Sequence, residues 1–454
     1  METSAVASTL RDWFMKVGDP LVDPFPNRKE DEEHLLDNHS SSINPWHGFF
    51  DNVSPSSGHC SNKNVTYKGQ LNDKGLRQGS GRLFHENGDE LNGWFDNGKP
   101  SGDVVITSPR RDISRLIGTY RDGCLNGRAT MVNGATTVFE CFVKDDVPHG
   151  PVRQIHMKKF REFRRQITFI GHHRHGIPHG VCWEYREGGG FLTGVPNAEG
   201  KFTGEQITYV YPDFETCWHG RFQDGKMEEG YPGKIIDYRF ERDIMVVQLN
   251  VDRRGKPTRY CLSTKSSMGE DLLVPDPYET KWILCENSLV SGAGDGVFAR
   301  RDIPKNTIVA FYNGVRLPFV LGGPKEDWST SGYKIFVNAD FKSGERMNIP
   351  LEYVSLENYC ATLGHKVNHS FEPNCTEWFI DHPRFGVIPC ERTSKDIKTG
   401  DELFLDYEYD PYNCPEWFEG ALRSFVGDSS EEQLDHLNDR YKRFVSHEIV
   451  DEVR

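Results

Sequence analysis

The sequence predicts a mainly β protein that begins with an array of β-hairpins, continues into a second β-rich domain and carries a helix near its C-terminus. Three observations predict this fold class. A glycine-spaced repeat starts at Tyr67, short apolar strands separated by turns and prolines follow residue 276, and apolar residues recur at helical spacing from Leu434. A chain of 454 residues has room for two or three such domains.

Changes in pattern along the chain predict five segments. Residues 1–64 form a partly disordered N-terminal extension, although aromatic residues such as Trp13 have the chemistry to pack on a neighbour. Residues 65–235 form the hairpin array, and 236–276 form a linker. Residues 277–411 form the second β-rich domain, and 412–454 form a C-terminal segment that contains an amphipathic helix.

The composition excludes several classes of protein. The first residues lack a basic start followed by an apolar core, so we expect no signal peptide, and no run approaches the roughly 18 apolar residues of a membrane span. The 11 cysteines are an odd number without a C-x-x-C pair, which favours reduced thiols over a disulfide framework or a zinc ribbon. A net charge of −14 disfavours direct nucleic-acid binding and suits a basic, Lys/Arg-rich protein partner.

Paired glycines define the repeat. The first glycine of each pair is Gly69, Gly93, Gly118, Gly171, Gly194 or Gly220, and the second is Gly79, Gly102, Gly127, Gly180, Gly204 or Gly230. A seventh copy has Cys141 in the first position and ends at Gly150. Each copy has an aromatic or β-branched run, a polar turn with glycine and a second run, which predicts a β-hairpin. One hairpin cannot bury its apolar face alone, so the copies must stack.

These copies resemble MORN repeats, whose pattern is Y-x-G-x-(W/F)-x-x-G-x-x-x-G-x-G. The resemblance covers about residues 65–235. It implies a β-hairpin solenoid, which serves either as a scaffold or as a binding surface.

The predicted C-terminal helix follows the apolar spacing i, i+3, i+4. Its apolar face consists of Leu434, Leu437, Tyr441, Phe444 and Val445. Ser429 and Glu432 are expected to form the capping box at its start.

Four short motifs in the second domain carry chemistry. They are "SGAGDGVFA" with Gly294 and Gly296, "FYNGV" with Tyr312, "VNHSFEPNC", and "DELFLDYEYD" with Tyr407 and Tyr409. The third motif contains two glycosylation sequons, but a sequon is idle without passage through the secretory pathway. Its alternative as a zinc site, with Cys360, His365, His369 and Cys375, has a spacing that fits no common zinc pattern.

In this order the motifs resemble the SET domain of protein lysine methyltransferases, in which N-H-S-x-x-P-N and E-L-x-x-D-Y are both matched completely here. The resemblance implies a pseudoknotted β-rich fold, S-adenosylmethionine as cofactor and no metal. It places Ala293, Gly294, Asp295, Gly296, Asn368, His369 and Trp417 at the cofactor. It makes Tyr407 the central catalytic tyrosine, and Tyr312 and Tyr409 complete the lysine channel.

The order of MORN repeats, "VPDPYET" and SET motifs resembles the mono-methylating histone H3 lysine-4 methyltransferases. This resemblance implies a lysine-containing basic substrate such as the histone H3 tail, and a location at chromatin in the nucleus with the cytoplasm as a second location. The alternative is a non-catalytic MORN-repeat adaptor with a degenerate SET domain.

Two positions depart from that family. Glu377 stands where the family has a tyrosine that limits methylation to one group, and Ala421 stands where it has a glutamate near the cofactor. We therefore expect that more than one methyl group can be added. The segment around "GYKIFV" also departs from the family's peptide-binding strand, so the substrate sequence is expected to differ.

Overall fold

The structure is a computed structural model of the 454-residue chain. It describes residues 2–18, 61–62, 65–109, 113–133, 137–160, 162–317, 333–336 and 345–430, with residues 433–434, 437–439 and 441–442 near the C-terminus. Most of the predicted N-terminal extension lies outside the described residues. Within the described part of the chain, no helix is both long enough and apolar enough to cross a membrane.

The first half of the chain forms one antiparallel sheet of 17 strands. Strands β1 to β16 pair in sequence order, each with the next, and β17 returns to pair with β15. The strands are β1 Ser61–Asn62, β2 Val65–Leu71, β3 Arg77–His85, β4 Glu90–Asp96, β5 Lys99–Thr107, β6 Ile113–Arg121, β7 Cys124–Asn133, β8 Thr137–Lys144, β9 Val147–Phe160, β10 Glu162–Arg174, β11 Ile177–Tyr185, β12 Phe191–Gly194, β13 Gly204–Val210, β14 Thr216–Gln223, β15 Lys226–Glu241, β16 Ile244–Val251 and β17 Thr258–Arg259.

Two-residue turns close many of these hairpins, which confirms the hairpin prediction. Asn97-Gly98 joins β4 to β5, and Asp122-Gly123 joins β6 to β7, with positive φ at both residues of each turn. Such turns match the right-handed twist of the strands that they connect. The strand pairing continues to Val251, past the array limit of 235 predicted from the sequence. The five domain limits remain predictions.

In several repeats the two glycines are required for different physical reasons. A Cβ on Gly118 would collide with the side chain of Leu125 on the next strand, so the first glycine permits close packing within the hairpin. Gly102 and Gly127, two second glycines, have φ of 75° and 89°, where side chains are strained. In these copies the first glycine meets a steric requirement and the second a backbone requirement.

Helix α1, Glu2–Gly18, lies within the predicted N-terminal extension. Its Leu10 and Trp13 are buried in a cluster with residues of the sheet such as Ile170 and Trp183. The Trp13 and Trp183 ring centroids are 6.3 Å apart in an edge-to-face arrangement. The sequence has no sustained helical spacing of apolar residues in this segment, so the helix was not predicted. Its stability comes from this tertiary packing.

The second half of the chain contains short strands in small sheets and little helix. The strands are β18 Ile283–Asn287, β19 Asp295–Ala299, β20 Ile308–Phe311, β21 Val315–Leu317, β22 Ile335–Phe336, β23 Arg346–Asn348, β24 Asn368–His369, β25 Cys375–His382, β26 Gly386–Thr393 and β27 Phe404–Leu405. The helices are α2 Glu279–Trp282 and α3 Glu416–Asp428, with 3-10 turns at Leu351–Tyr353 and Gly364–Lys366. The mainly β class with a C-terminal helix is confirmed.

The array and the second domain share one apolar core. Trp218 of the array lies in the same buried cluster as Phe311 and Ile388 of the second domain. The Tyr211 ring stacks on Tyr278 with centroids 4.9 Å apart, and the Tyr211 hydroxyl donates to Asp276 Oδ2 at 2.6 Å. These contacts fix the array against the domain that carries the four motifs.

The C-terminal segment carries a helix that was not predicted, and the described residues 433–434, 439 and 441–442 of the predicted helix are helical as well. Helix α3 starts after Pro415 and ends at Asp428, before the predicted capping residue Ser429, which is extended. The reciprocal bonds of a capping box are made one position later: Ser430 N donates to Gln433 Oε1 at 3.0 Å, and Gln433 N donates to Ser430 Oγ at 3.4 Å. Leu437 and Tyr441 are buried in the cluster of Phe418, while Phe444 and Val445 lie outside the described residues.

Candidate active site

Two of the four motifs meet in a short parallel strand pair. Strand β24, Asn368–His369, pairs with β27, Phe404–Leu405. Asn374 reinforces the pairing, because its Nδ2 donates to the carbonyl of Glu402 at 2.8 Å and its Oδ1 accepts from Phe404 N at 2.7 Å. The sequence "NHSFEPN" is thus held against "ELFLDY" through side chain to backbone bonds.

The glycine turn at residues 292–296 joins this pair through Asn368 and Glu402. Asn368 Nδ2 donates to the carbonyl of Asp295 at 2.9 Å and to Glu402 Oε1 at 3.1 Å. A Cβ on Gly296 would collide with the Glu402 carboxylate, so only glycine fits there. Lys366 Nζ donates to Asp295 Oδ2 at 2.6 Å.

The outer part of the turn is open. Ala293 and Gly294 are exposed, and a Cβ on Gly294 would meet no atom within 4 Å. The turn is closed by its own backbone, since Ser288 N donates to the Gly294 carbonyl at 2.8 Å. The predicted cofactor-binding residues of the turn therefore share a connected unit with Asn368.

His369 is a buried ring with one free nitrogen. Its Nδ1 accepts a hydrogen bond from the backbone N–H of Tyr407 at 3.2 Å, which assigns the ring proton to Nε2. Nε2 is buried and has no partner. Burial lowers the pKa of His369 to about 4, against the opposing charge of Asp406, so the ring is neutral at pH 7. A neutral buried N–H donor without a partner is expected to be completed by a ligand.

Aromatic side chains from helix α3 surround His369. The Phe418 ring centroid is 4.9 Å from that of His369, and Trp417 is 6.0 Å away. Trp417 is 52% exposed, an unusual amount for so large an apolar ring. It also lies 6.4 Å from Tyr407 and 6.2 Å from Tyr409, so it offers a flat apolar surface beside the unpartnered nitrogen. We call His369, Trp417 and the glycine turn the cradle.

Four tyrosines line an adjoining cleft of about 580 Å³, which we call the tyrosine cleft. Three were predicted from the sequence: Tyr312, Tyr407 and Tyr409. The fourth, Tyr333, was missed, because it lies in the segment that departs from the known pattern. The Tyr407 hydroxyl donates to the Val367 carbonyl at 2.8 Å, and the Tyr312 hydroxyl donates to the Tyr333 carbonyl at 2.6 Å.

The hydroxyls of Tyr312, Tyr407 and Tyr409 remain protonated at pH 7. Burial raises the pKa of Tyr407 and Tyr312 well above the ordinary value, and neighbouring phenols raise both further. Burial also raises the pKa of Tyr409 to about 12. Neutral hydroxyls keep oxygen lone pairs that accept N–H bonds from an amine, and their ring faces suit an aliphatic stem.

Two glutamates also line the tyrosine cleft. Glu377 was singled out from the sequence, whereas Glu391 was missed. Glu391 is 1% exposed and its Oε2 has no partner. No sequence signal would have found it, because its burial on strand β26 and its register against Glu377 appear only in the structure. Burial, with a smaller contribution from Glu377, raises the pKa of Glu391 to about 8.

The remaining departures lie away from the cleft. Ala421 is exposed on helix α3 and does not line the cleft. Trp378 is 42% exposed, and the Arg392 guanidinium lies 4.0 Å from its ring centroid.

Among the described residues, no three His, Cys, Asp or Glu side chains are placed to hold a metal ion, and this includes the four side chains considered as a zinc site.

Comparison with known proteins gives two family matches. Residues 173–242 match the N-terminal family of the histone H3 K4-specific methyltransferase SET7, and residues 294–408 match the SET domain. The chain is 36% identical over 284 residues to the histone-lysine N-methyltransferase SETD7 of Halocynthia roretzi. That alignment covers 61% of this chain and 72% of the relative.

Solved structures of polycomb repressive complex 2 overlap a smaller part. One, ctPRC2 in an autoinhibited conformation bound to S-adenosylmethionine, is 21% identical over 32% of this chain, with a TM-score of 0.22. Another, from Chaetomium thermophilum, is 19% identical over 28% of this chain, with a TM-score of 0.21. This chain spans 17% and 15% of those chains, which is too little to support an argument from either.

Proposed function

The chain belongs to the family of SETD7-type histone-lysine N-methyltransferases, and on that premise we propose that it methylates a lysine of a basic protein segment, with the histone H3 tail and its lysine-4 as the substrate. It is a protein-lysine methyltransferase that uses S-adenosylmethionine. The family resemblance favours this activity over the adaptor alternative. We further propose that it acts at chromatin in the nucleus, with the cytoplasm as a second location.

One observation supports the proposed site above the others. Tyr407 belongs to both parts of it, since its backbone N–H holds the His369 ring of the cradle while its side chain lines the tyrosine cleft. A group in the cradle and a group in the cleft therefore approach each other at Tyr407. Positioning of two reactants in this way lowers a barrier by several kcal/mol.

The cradle fits S-adenosylmethionine in its donor set and shape. The unpartnered His369 Nε2–H is a donor for an acceptor atom of the cofactor, and the exposed Trp417 ring is a surface for its flat adenine. The open glycine turn next to Asn368 leaves backbone groups accessible. When bound, the cofactor supplies a methyl group on a sulfonium sulfur. A neutral amine can attack this methyl carbon, and the sulfur is the group that leaves.

The tyrosine cleft would prepare the lysine. A free lysine has a pKa near 10.4, so removal of its proton at pH 7 costs roughly 4–5 kcal/mol. The apolar ring faces of the cleft disfavour the ammonium and reduce this cost. The hydroxyls of Tyr312 and Tyr407 are each held by a carbonyl, so their oxygen lone pairs are fixed in direction and can orient the amine.

Radiolabelled methyl transfer tests the proposal. Purified protein is incubated with labelled cofactor, a panel of core histones, an H3-tail peptide and the same peptide with lysine-4 replaced by arginine. We expect label on histone H3 and on the unchanged peptide only. Label on another protein of a cell extract, with none on H3, would remove the H3 assignment and keep the activity. Folded protein that binds cofactor and labels nothing would contradict both.

A further inference from the structure

We propose that Glu377 and Glu391 form a carboxyl pair that binds the ammonium of the target lysine and takes up the proton that this lysine must lose. The inference rests on the proposed function and deepens it, because it assigns two residues of this chain to the step that precedes methyl transfer.

The geometry of the sheet places the two carboxyls together. Glu377 on β25 and Glu391 on β26 are directly opposed in the antiparallel register. Directly opposed residues project to the same face, with Cβ atoms about 4.5–5.5 Å apart. Both side chains line the tyrosine cleft with Tyr312 and Tyr407. Two carboxylates at this separation repel each other and destabilise the sheet unless a proton or a cation lies between them.

One carboxyl oxygen of Glu391 is buried without a partner. It is 1% exposed, its Oε2 has no hydrogen-bond partner, and no ion pair joins it to a cation among the described residues. A Cβ added at Gly364 would lie 2.8–2.9 Å from its two oxygens, so the glycine leaves room for the carboxyl group. A buried polar atom without a partner is costly and is expected to be completed by a ligand.

Other titratable groups around the pair do not neutralise it. Among the described residues, the charged and titratable side chains that line the cleft besides the tyrosines and the pair itself are Lys334, Arg346, His365, Cys375, Asp406, Glu408 and Asp410. Burial lowers the pKa of His365 to about 3, so this ring is neutral at pH 7. From helix α2, the buried Glu279 faces the same region, and burial raises its pKa well above the ordinary value. Acidic side chains outnumber basic ones in the described lining of the cleft, which favours a cationic occupant.

The proton transfer balances within the pair. An N–H bond of the lysine ammonium breaks, an O–H bond forms on a carboxylate, and the lysine becomes the neutral amine. Glu391 is enclosed, whereas Glu377 is exposed at the mouth of the cleft, so Glu377 passes the proton to solvent. Burial raises the pKa of Glu391 to about 8, which matches the role of a base near neutral pH.

The test compares pH profiles of kcat/KM for wild type, Glu377→Gln, Glu391→Gln and the double variant. Wild type requires ionised carboxyl and charged lysine, so its kcat/KM rises with pH and levels off above about pH 8. Without the acceptor only the free amine reacts, and the double variant keeps rising about tenfold per pH unit toward pH 10. We expect the double variant to be at least tenfold slower at pH 7 and to approach wild type near pH 10. The control, Glu357→Gln, removes an exposed carboxylate outside the cleft and should keep the wild-type profile.

If the wild type and the double variant gave pH profiles of the same shape, offset by a constant factor, the proton-accepting role would be overturned.

A second measurement follows binding and does not need methyl transfer. Calorimetry at pH 8 compares a lysine peptide with the same peptide carrying norleucine. Wild type should bind the lysine peptide at least tenfold more tightly, and the double variant should lose this preference. If the wild type is active and the double variant still prefers the lysine peptide over the norleucine peptide, the carboxyl pair is refuted and the proposed function stands. If the wild type prefers the lysine peptide but transfers no methyl group, the proposed function is refuted and the binding role of the pair stands.

Discussion

The hydroxyl of Tyr211 and the carboxylate of Asp276 form a buried hydrogen bond of 2.6 Å that joins the hairpin array to the second domain. The same Asp276 Oδ2 is 3.1 Å from His382 Nε2, and Trp218 Nε1 donates to the Tyr211 oxygen at 3.0 Å. Although burial opposes ionisation, the hydrogen bond and charge of His382 hold the pKa of Asp276 below its usual range. A fully buried carboxylate is stable only with partners such as these.

Replacement of Asp276 should destabilise the protein strongly. Asp276→Ala leaves Tyr211 and His382 buried without their acceptor, so we expect the free energy of unfolding to fall by about 3–5 kcal/mol. Urea unfolding followed by tryptophan fluorescence measures it. As a control, Asp252→Ala removes an exposed carboxylate paired with Arg254 and should change little. Similar losses in the two variants would show that the buried network adds nothing.

Tyr407→Phe should reduce methyl transfer while the protein stays folded. The ring keeps its contacts with His369 and Tyr409, but the hydroxyl that is held by the Val367 carbonyl is lost. One orienting hydrogen bond of about 1.4 kcal/mol corresponds to about a tenfold loss in rate. Radiolabel incorporation under single-turnover conditions measures the rate. Tyr412→Phe, at an exposed position, is the matched control. An unchanged rate in Tyr407→Phe would remove this hydroxyl from the mechanism.

Trp417→Ala should weaken cofactor binding without unfolding the chain. The ring is half exposed, and its loss removes a stacking surface worth about 1–3 kcal/mol, which is at least fivefold in Kd. Calorimetry with S-adenosylmethionine in the presence of EDTA measures it, and wild type should bind with micromolar affinity there. Trp94→Ala, also half exposed but on strand β4, is the control. Equal affinity in wild type and Trp417→Ala would exclude the ring from the cradle.

The number of methyl groups added should depend on Glu377. Its carboxyl lines the cleft beside the tyrosines, where its negative charge favours a methylated ammonium as well as an unmethylated one. We expect wild type to add more than one methyl group, and Glu377→Tyr to shift the product toward the monomethyl form. Mass spectrometry of a product peptide after exhaustive reaction decides this. Monomethyl product from both proteins would refute control at this position.

Glu391→Gln should change how stability depends on pH. The pKa of Glu391 is raised in the folded state, so folded protein binds more protons than unfolded protein between about pH 4.5 and 8. Wild type therefore loses stability as the pH rises through this window, and the variant lacks this loss. Relative to wild type, the variant should gain on the order of 2–4 kcal/mol between pH 5 and pH 8. Urea unfolding at the two pH values measures the gain, and a constant difference would contradict the raised pKa.

Local pattern predicted the hairpins because each repeat carries its own turn residues, such as Asn97-Gly98, and its own close-packing glycine, such as Gly118. The motifs also predicted candidate members of the site, whose roles remain predictions. The structure adds the contacts among Asn368, Asp295 and Glu402, which depend on residues more than 30 positions apart. No local period specifies such contacts.

The residues that sequence reasoning missed have tertiary causes. Helix α1 is stable because Trp13 packs on Trp183 across more than 160 residues of chain. The role proposed for Glu391 follows from its position opposite Glu377 in the strand register, which the sequence does not show. The capping box at Ser430 and Gln433 differs by a single position from the predicted one, since two adjacent serines offer the same chemistry.

The parallel pairing of β24 with β27 also sets when the protein can first act. Asn368 and His369 obtain their strand partner only from Phe404 and Leu405, and Trp417 follows later still. During synthesis the hairpins of the array can form one after another as they leave the ribosome, because each pairs with its sequence neighbour. The cradle has no such early partner, so a nascent chain that ends before Phe404 has a finished array and no working centre. The cradle can therefore assemble only after Trp417 has been synthesised, well after the array is complete.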